Sequence, residues 1–427
     1  MRLYQTSKKA DFRKLQSFIR DFKDNRFPPE VVRTVGRITE GVRRRGDSAL
    51  IAETRRLDGV KLSRKSLRVR PAALRAAWKS LAAKERRAIL VAWRNIVRFH
   101  RRQMPRPAAF RGPYGMEGWV VRPIERVGLH VPGASAPLVS TLLMLAGPAK
   151  VAGVRSIVMI SPPRSKGTIA GPVLAAAWLT GIREVYRVGG AQGIAALVYG
   201  TRTIPPVDKV LGPGNIYVQA AKWLTQGGAG LEGPSEIVVL ADDTASPEGV
   251  ASDLIAEAEH TGRELAVLVT TSEALVRRVL NELRRQLQGF PRARQAADSF
   301  IRYGTVVLVK SLEEGVRIVN LLAAEHLEII TGNPSRLVRG VRNAGTILLG
   351  NYSPVAAEDY AVGPNHILPT AGTARYASGL GVKDFVKIIN VSSLTRKGLN
   401  RLSPSVAILA RMEGLEGHAR SVEVRRD

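Results

Sequence analysis

The sequence predicts an α/β protein with two Rossmann-like parallel sheets, each lacking a complete GxGxxG loop, and a helical N-terminal region. Two observations predict this class. Short β-branched runs alternate with helical stretches in one series over 118–198 and a second over 236–349. Such strand–helix–strand alternation forms parallel sheets through right-handed crossovers. In addition, the 427 residues suffice for two domains, each with its own core.

The elements follow in order along the chain. Apolar residues recur at helical spacing over 30–57 and again over about 71–103. Strands of the first series are expected at 119–121, 127–129, 156–160 and 184–188, with helices near 138–152, 168–180 and 191–198. Strands of the second series are expected at 236–240, 264–269, 305–309 and 346–349. After about residue 381 the sequence turns irregular and basic, which is typical of a tail or arm.

Composition and charge narrow the class of protein. Hydrophobic residues make up 45% of the chain and charged residues 24%, which is ordinary for a globular protein. No apolar run could span a bilayer, and the N-terminus lacks the apolar core of a signal peptide, so a cytoplasmic protein is expected. The net charge of +29 raises nucleic-acid binding as an alternative. We favour an arginine-rich solvated surface, because aromatic residues are only 5% and no nucleic-acid-binding motif is present.

The chain has no cysteine, which excludes disulfides, cysteine-ligated zinc and a thiolate nucleophile. A metal ion must therefore be held by His, Asp, Glu, Gln or Asn side chains. Histidine is scarce, so each histidine within a polar cluster is informative. The six histidines are His100, His130, His260, His326, His366 and His418.

Two glycine-rich turns, at 131–137 and 188–193, follow predicted strands and precede predicted helices. Backbone N–H groups at such turns can bind phosphate. Neither turn matches GxGxxG and no P-loop is present, so these motifs alone are weak evidence for a nucleotide.

The stretch around Glu257 and His260 has the punctuation of a helix end. Ser246 can cap the helix, Pro247 suits its first position, and Gly262 suits a left-handed stop. Side chains three residues apart on a helix project from one face. We therefore expect Glu257 and His260 in the last turn, as two ligands of one metal ion, with the other ligands supplied by the rest of the chain.

Three further segments combine histidine with carboxylates, one at a helix-to-strand junction, one in a loop after a strand and one near the C-terminus. They are 323–328, 353–366 and 412–418. Taken alone, each is more simply explained by a capping or solvated carboxylate or by a hydrogen-bonded histidine. Four such segments in a chain with six histidines together predict a metal site. The metal would be zinc, or else manganese or iron, with spare Glu-His pairs as general bases.

Several of these segments match a known family. The chain resembles the L-histidinol dehydrogenases, which are zinc- and NAD-dependent enzymes, from about residue 46 to residue 418. The segments that carry the resemblance are 137–152, Gly212-Pro213-Gly214-Asn215, Gly233-Pro234-Ser235-Glu236, Ala258-Glu259-His260, Glu325-His326-Leu327-Glu328 and Asn365-His366-Ile367-Leu368-Pro369-Thr370.

The resemblance implies roles for specific residues. The metal ligands would be Glu257, His260, Asp359 and His418. The water-activating base would be Glu325 and the proton-transferring histidine would be His326. The substrate contacts would be Ser235, His326, His366 and Glu413, and the NAD contacts would be His130, Gln192 and Asn215.

The resemblance also implies a homodimer, because in the family the C-terminal histidine comes from the partner subunit of an exchanged arm. The expected organisation is an N-terminal arm over 1–25, a discontinuous catalytic domain over 26–128 and 237–380, an NAD-side domain over 129–236, and a C-terminal dimer arm over 381–427. Neither a membrane nor a specific nucleic acid is expected as a partner.

The implied reaction oxidises L-histidinol to L-histidine by two hydride transfers to NAD, through an aldehyde that water attacks. The alternative is a paralogue acting on another small polar alcohol, such as a sulfonated diol, because the chain departs from the family near the metal, cofactor and substrate. Glu257 replaces a glutamine, His130 a tyrosine, Val355 a glutamate and Glu358 a glycine. Finally, the adjacent Glu325 and His326 can reach one substrate only if the junction that carries them is irregular.

Overall fold

A computed structural model describes residues 1–23, 27–133, 136–164, 167–227 and 234–426. Ala134 and Ser135 of the first glycine turn, and Gly233 of a matched segment, lie outside these residues. The strands are β1 Arg2–Gln5, β2 Ala108–Arg111, β3 Gly115–Pro123, β4 Arg126–His130, β5 Ser156–Ile160, β6 Glu184–Tyr186, β7 Lys209–Leu211, β8 Glu236–Ala241, β9 Leu265–Thr270, β10 Thr305–Leu308, β11 His326–Ile330, β12 Thr346–Leu349 and β13 Val386–Leu394.

The helices divide into an N-terminal group, two groups that alternate with the strands, and a C-terminal pair. They are α1 Lys9–Lys23, α2 Pro29–Arg45, α3 Asp47–Asp58, α4 Arg64–Leu67, α5 Pro71–Ser80, α6 Ala83–Arg101, α7 Val139–Ala152, α8 Gly171–Leu179, α9 Gly190–Tyr199, α10 Ile216–Gln226, α11 Pro247–Ala258, α12 Glu273–Leu287, α13 Ala293–Arg302, α14 Leu312–Leu322, α15 Pro334–Val338, α16 Val355–Ala357, α17 Arg396–Met412 and α18 Glu416–Glu423.

The larger sheet has six strands in the order β1-β10-β9-β8-β11-β12, and every neighbouring pair is parallel. Its strands β8, β9 and β11 are buried along their whole length, as expected for a parallel sheet with helices on both faces. One face packs on α11, α12 and α13, and the other packs on α1 and α14. The segment 1–25, which was expected to form an arm, contributes the edge strand β1 to this sheet.

The smaller parallel sheet has four strands in the order β6-β5-β4-β7. The N-terminal helices pack on this sheet through the helices that cover it, with α2 on α9 and α10, α5 on α8, and α6 on α7. The predicted class, two parallel sheets with helices on their faces, is confirmed. The domain boundaries stay a prediction, although the expected boundary at residue 128 falls inside β4.

Two local predictions are wrong. The run at 119–121 does not join a parallel sheet, since it lies in β3, which pairs antiparallel with β2 and β13. The region after residue 381 is regular, since it forms β13, α17 and α18. Both errors have the same cause. Nearly every residue of β13 is exposed and most of β3 is only half-buried, so hydrophobic periodicity, which reflects burial, carries little signal there.

Each long helical run of the N-terminal region consists of two helices. Gly46 separates α2 from α3 with a φ of 54° and a ψ of −130°, a conformation that suits glycine alone. Leu81 and Ala82, both with extended backbone, separate α5 from α6. Among the residues that the structure describes, no helix is long and apolar enough to cross a membrane.

Gly46→Ala should lower the free energy of unfolding by about 1–3 kcal/mol, because alanine must adopt the same backbone conformation. Crowding contributes little, since an added Cβ would lie 3.9 Å from its nearest neighbour, Thr201 Cβ. The matched control is Gly36→Ala inside α2, where nothing lies within 4 Å and alanine should stabilise by about 0.5–1 kcal/mol. Urea unfolding of both variants measures the difference, and equal shifts in the two would contradict the assignment of strain to Gly46.

Candidate functional site

Several of the polar residues singled out in the sequence lie at the amino edge of the six-stranded sheet. β8 begins with Glu236 and the neighbouring β11 begins with His326, so both residues stand at that edge. A helix that follows a parallel strand runs back antiparallel to it, so the helix C-terminus returns to the edge where the strand began. α11 follows β8 in this way and brings Glu257 to the same edge.

The helix end predicted around Glu257 is present, with one correction. The Ser246 hydroxyl caps α11 by accepting a first-turn N–H at 3.2 Å, and Pro247 is the first helical residue. The helix ends at Ala258, so His260 lies beyond it rather than in its last turn. The His260 Nδ1 instead hydrogen-bonds the Glu257 carbonyl oxygen at 2.9 Å. The sequence suggested that the helix runs up to Gly262, but it ends four residues earlier, at Ala258.

His326 lies between two carboxylates. Its Nδ1 is 3.6 Å from Glu257 Oε2 and its Nε2 is 3.5 Å from Asp359 Oδ1. These distances suit ion pairs but are too long for good hydrogen bonds. Within the described part of the chain, neither ring nitrogen has a hydrogen-bond partner, and neither has Glu257 Oε1. Glu257, Glu325 and His326 are buried and each offers a ligand atom within 4.8 Å of the others. With Asp359 they form the carboxylate–imidazole cluster.

Burial and charge shift the pKa values of the cluster. Burial alone would lower the pKa of His326, but the carboxylates of Glu325, Asp359 and Glu257 outweigh it and raise that pKa to about 10. Burial raises the pKa of Glu257 and raises that of Glu325 well above its usual range. Burial would also raise the pKa of Asp359, yet His326 beside it holds that pKa below the usual range. These directions describe a buried site with excess negative charge, which favours a cation.

Glu325 reaches the cluster because the chain is irregular just before β11. Ala323 ends α14 with a φ of 47°, a left-handed conformation that is rare outside glycine. The strand begins only at His326, and Glu325 Oε2 accepts the backbone N–H of Glu236 at 3.2 Å. The irregular junction expected from the sequence is therefore present, and it lets two adjacent side chains face one site.

Asp359 and His366 come from the loop that follows β12. Asp359 lies in a π-helical turn over Glu358–Val362, a distortion that is frequent at functional sites. His366 Nδ1 hydrogen-bonds the Asp359 carbonyl oxygen at 2.8 Å, and its Nε2 lies 3.4 Å from Thr141 Oγ1. Thr141 belongs to α7, the helix after β4, so this contact joins the loop to the carboxyl edge of the four-stranded sheet.

Two of the departures from the family lie beside Asp359. Val355 is buried in the apolar core under α11, and its N–H donates to Glu328 Oε1 at 3.1 Å. The Glu358 carboxyl is buried and accepts from the Thr346 hydroxyl at 2.7 Å. Burial raises the pKa of Glu358. The loop therefore carries an apolar side chain at 355 and a buried, hydrogen-bonded carboxyl at 358.

The expected cofactor residues lie at the carboxyl edge of the four-stranded sheet. The His130 Nδ1 donates to the Pro213 carbonyl oxygen at 2.7 Å, while its Nε2 is buried with no partner among the described residues. The Gln192 Nε2 donates to Asp58 Oδ2 at 3.3 Å, and its Oε1 is likewise buried and unpartnered. The Asn215 oxygen instead caps α10 by accepting two backbone N–H groups at 3.1 Å. Two of the three thus offer unused polar atoms.

The remaining predicted residues lie outside the cluster. Ser235 is half-buried and directly precedes Glu236, so it borders the same edge. Glu413 ends α17 and His418 lies on α18, and both are exposed in the single chain. Within the described residues, no hydrogen bond or ion pair joins either of them to the cluster.

Sequence reasoning missed three residues that support the site, namely Glu236, Asp58 and Thr141. Glu236 is a charged residue at the head of an apolar strand, which is a usable signal. Asp58 and Thr141 gave none, because Gln192 and His366 are distant in sequence and only the fold makes them neighbours. Burial raises the pKa of Asp58 to about 6 and that of Glu236 to about 8.

The donor atoms fit a divalent cation such as zinc, which binds carboxylate oxygens and imidazole nitrogens. Glu257 Oε1 is a buried oxygen that has no hydrogen-bond partner among the residues the structure describes. The His260 Nδ1 is tied to a carbonyl oxygen, the arrangement that orients a metal-binding imidazole through its other nitrogen. Among the expected ligands, Glu257 belongs to the group of three buried residues that it forms with Glu325 and His326. Asp359 borders this group through His326, and His418 lies apart from it.

The chain is similar along nearly its whole length to proteins of one family. The family model described as histidinol dehydrogenase matches residues 23–426. A histidinol dehydrogenase of Rhodopseudomonas palustris is 46% identical over 392 residues, which cover 91% of each chain. One of Thermus thermophilus is 45% identical over 403 residues, which cover 94% of this chain and 96% of the relative. The crystal structure of histidinol dehydrogenase from Elizabethkingia anophelis matches with a TM-score of 0.93 and 35% identity, covering 100% of this chain and 98% of that one.

His130 should make the protein sensitive to mild acid. Burial lowers the pKa of His130 to about 4, whereas an unfolded histidine has a pKa of about 6.5. The unfolded chain therefore binds this proton first, so the contribution of the neutral ring to stability is complete above pH 6.5 and is lost as pH falls from there toward 4. Between pH 7.5 and pH 5.0 the loss should be about 2 kcal/mol.

His130→Asn retains a donor for the Pro213 carbonyl oxygen but cannot titrate. Urea unfolding of both proteins at the two pH values should give a shallower loss of stability for the variant, by about 2 kcal/mol. Identical losses in the two proteins would contradict a buried neutral His130.

Proposed function

The chain belongs to the histidinol dehydrogenase family, and we propose that its carboxylate–imidazole cluster is where L-histidinol is oxidised to L-histidine. The protein is an NAD-dependent oxidoreductase of a zinc-binding family that catalyses the final oxidation steps of histidine biosynthesis. One observation carries the assignment to this site. Glu257, Glu325 and His326 are buried together, with ligand atoms within 4.8 Å of one another. Such a site favours a metal ion and the positively charged amino alcohol.

Glu257, His260 and Asp359 would hold the zinc, together with His418 of the partner subunit. When bound, the metal would position the amino alcohol and lower the pKa of its hydroxyl group. Glu257 adds a negative charge where the family has a glutamine. With Asp359 it would formally neutralise a divalent cation, which weakens the Lewis acidity of zinc or favours a harder metal such as manganese.

His326 would accept the hydroxyl proton while hydride leaves to NAD. The carboxylates of Glu325, Asp359 and Glu257 beside the ring raise its pKa to about 10 despite its burial. A cation bound among the same carboxylates disfavours the imidazolium and restores a neutral ring nitrogen that can take a proton. The ring has a carboxylate on each side, Glu257 at 3.6 Å and Asp359 at 3.5 Å, so its orientation is constrained.

Glu325 would remove a proton from the water that attacks the aldehyde. Burial raises the pKa of its carboxyl well above the usual range, which makes the carboxylate a stronger base. The backbone N–H of Glu236 fixes one of its oxygens at 3.2 Å. The same carboxylate lies within reach of His326, so one substrate position serves both the alcohol and the aldehyde stage.

Substrate and cofactor would enter from different edges. Ser235 and His366 would contact the substrate, with Glu413 supplied by the partner subunit. NAD would lie along the carboxyl edge of the four-stranded sheet, near the unpartnered atoms of His130 and Gln192. The contact between Thr141 and His366 brings these two regions together, as hydride transfer requires.

NADH formation from limiting L-histidinol, with zinc or manganese added, tests the proposed function. The wild-type protein should form two NADH per L-histidinol. Glu325→Gln should form the first at a near-normal rate and the second about 10²–10⁴-fold more slowly, because it lacks the base that activates water. The matched control is Glu313→Gln on the exposed surface of α14, which should behave as wild type. Turnover of a sulfonated diol without turnover of L-histidinol would establish the paralogue instead.

We further propose a homodimer with exchanged C-terminal arms. α17 and α18 bury only a small core between themselves and leave a broad apolar surface open. The exposed fractions of Ile408, Leu409 and Met412 are 61%, 59% and 77%. β13 adds further exposed apolar side chains along its length. Apolar surface of this extent is typical of an interface between subunits. The cytoplasmic location expected from the sequence stays a prediction.

Subunit complementation tests the exchange of arms. Glu325→Ala and His418→Ala homodimers should each be inactive. Random mixing makes about half of the dimers mixed, and each mixed dimer has one intact site, so about one quarter of wild-type activity should return. If His418 acts within its own subunit, every site of a mixed dimer keeps one defect and no activity returns.

A further inference from the structure

Lys23, the last residue of α1, contacts two separate segments. Its Nζ donates to the Leu321 carbonyl oxygen at 2.5 Å. Its alkyl chain lies against Gly372, where an added Cβ would be 2.8 Å from Cδ and 2.9 Å from Cε. Its positive charge also favours the ionised form of the buried Glu236 and so lowers the pKa of that carboxyl. A partly buried lysine with these contacts is held in one place rather than extended into solvent.

Glu236 contacts the loop that contains Gly372 and the junction that carries Glu325. It is completely buried, and its Oε1 accepts the Ala371 N–H at 2.5 Å. Its own N–H donates to Glu325 Oε2 at 3.2 Å. Burying a carboxylate costs free energy unless hydrogen bonds and charges offset it. The Ala371 N–H and the charge of Lys23 offset part of that cost, but burial still raises the pKa of Glu236 to about 8.

The linked segments carry the proposed base and a proposed substrate contact. Leu321 belongs to the last turn of α14, shortly before the irregular junction that presents Glu325. Ala371 and Gly372 follow His366 in the same loop. Ala371 has a φ of 54°, a conformation that an L-residue keeps only when its surroundings enforce it. The hydrogen bond from its N–H to Glu236 is such a constraint.

We propose that Lys23 and Glu236 form a positioning pair that fixes the placement of Glu325 relative to His366. Neither side chain need touch the substrate. The pair holds the turn before Glu325 and the loop after His366 against one another. The N-terminal helix α1, which carries Lys23, therefore helps to position the site. This inference rests on the proposed roles of Glu325 and His366.

Three variants separate the contributions. Lys23→Met keeps the alkyl packing on Gly372 and removes the charge and the donor. Glu236→Gln keeps an acceptor for the Ala371 N–H and removes the charge, whereas Glu236→Ala removes both. Lys14→Met, at an exposed position of the same helix, is the matched control.

Steady-state kinetics with L-histidinol should show coupling between the two residues. Lys23→Met and Glu236→Gln should each lower kcat/KM about tenfold, and the double variant should lose about tenfold as well, since both residues hold the same two segments together. Glu236→Ala should lose about 100-fold, because misplaced reacting groups carry that cost. Lys14→Met should match wild type. A loss of about 100-fold in the Lys23→Met/Glu236→Gln double variant would mean independent effects and would overturn the pair.

Hydrogen exchange supplies a readout that does not depend on activity. Amides of the segment 366–376 should exchange about tenfold faster in Lys23→Met and in Glu236→Ala than in wild type, and at the wild-type rate in Lys14→Met. Unchanged exchange in both variants overturns the positioning pair even if their activity falls. If wild type fails to oxidise L-histidinol but the variants still exchange faster, the proposed function is wrong and the positioning pair is supported. If Glu236→Ala does not fold, Lys23→Met and Glu236→Gln decide the question.

Discussion

Three carboxylates surround one buried imidazole, and this electrostatic constraint sets the properties of the whole site. Removing Glu257, Glu325 and His326 from water costs on the order of several kcal/mol per ion, and their mutual attraction offsets only part of it. Several of their polar atoms also lack hydrogen-bond partners within the described chain. Such an arrangement lowers the free energy of unfolding, and it favours the binding of a positively charged ligand. The arrangement suits a zinc ion and an amino alcohol, both of which bring the missing positive charge.

The two parallel sheets divide the chemistry between them. The proposed acid–base residues stand at the amino edge of the six-stranded sheet, where β8 and β11 begin and α11 ends. The cofactor candidates stand at the carboxyl edge of the four-stranded sheet, the usual ligand edge of an open α/β sheet. Thr141 and His366 join the two edges at 3.4 Å. The proposed hydride transfer between substrate and NAD would take place where these two edges meet.

Local features of the site could be predicted from the sequence, whereas features made by distant contacts could not. Ser246 caps α11 as its position suggested, because capping depends on a few neighbouring residues. His260 fell outside the predicted last turn, because the helix stops at Ala258. The role of Glu236 depends on hydrogen bonds with Ala371 and Glu325, which are far away in the sequence. The C-terminal region was mistaken for an irregular arm, because its apolar surface faces outward in a single subunit and gives no burial pattern.

The most direct test is a crystal structure of the zinc-loaded protein, with anomalous data collected on both sides of the zinc absorption edge. The proposed metal site predicts one zinc peak per subunit, about 2.0–2.2 Å from oxygens of Glu257 and Asp359 and from a nitrogen of His260, with His418 of the partner subunit completing the set. A zinc peak remote from the carboxylate–imidazole cluster, or one ligated there by His418 of the same chain, would contradict it.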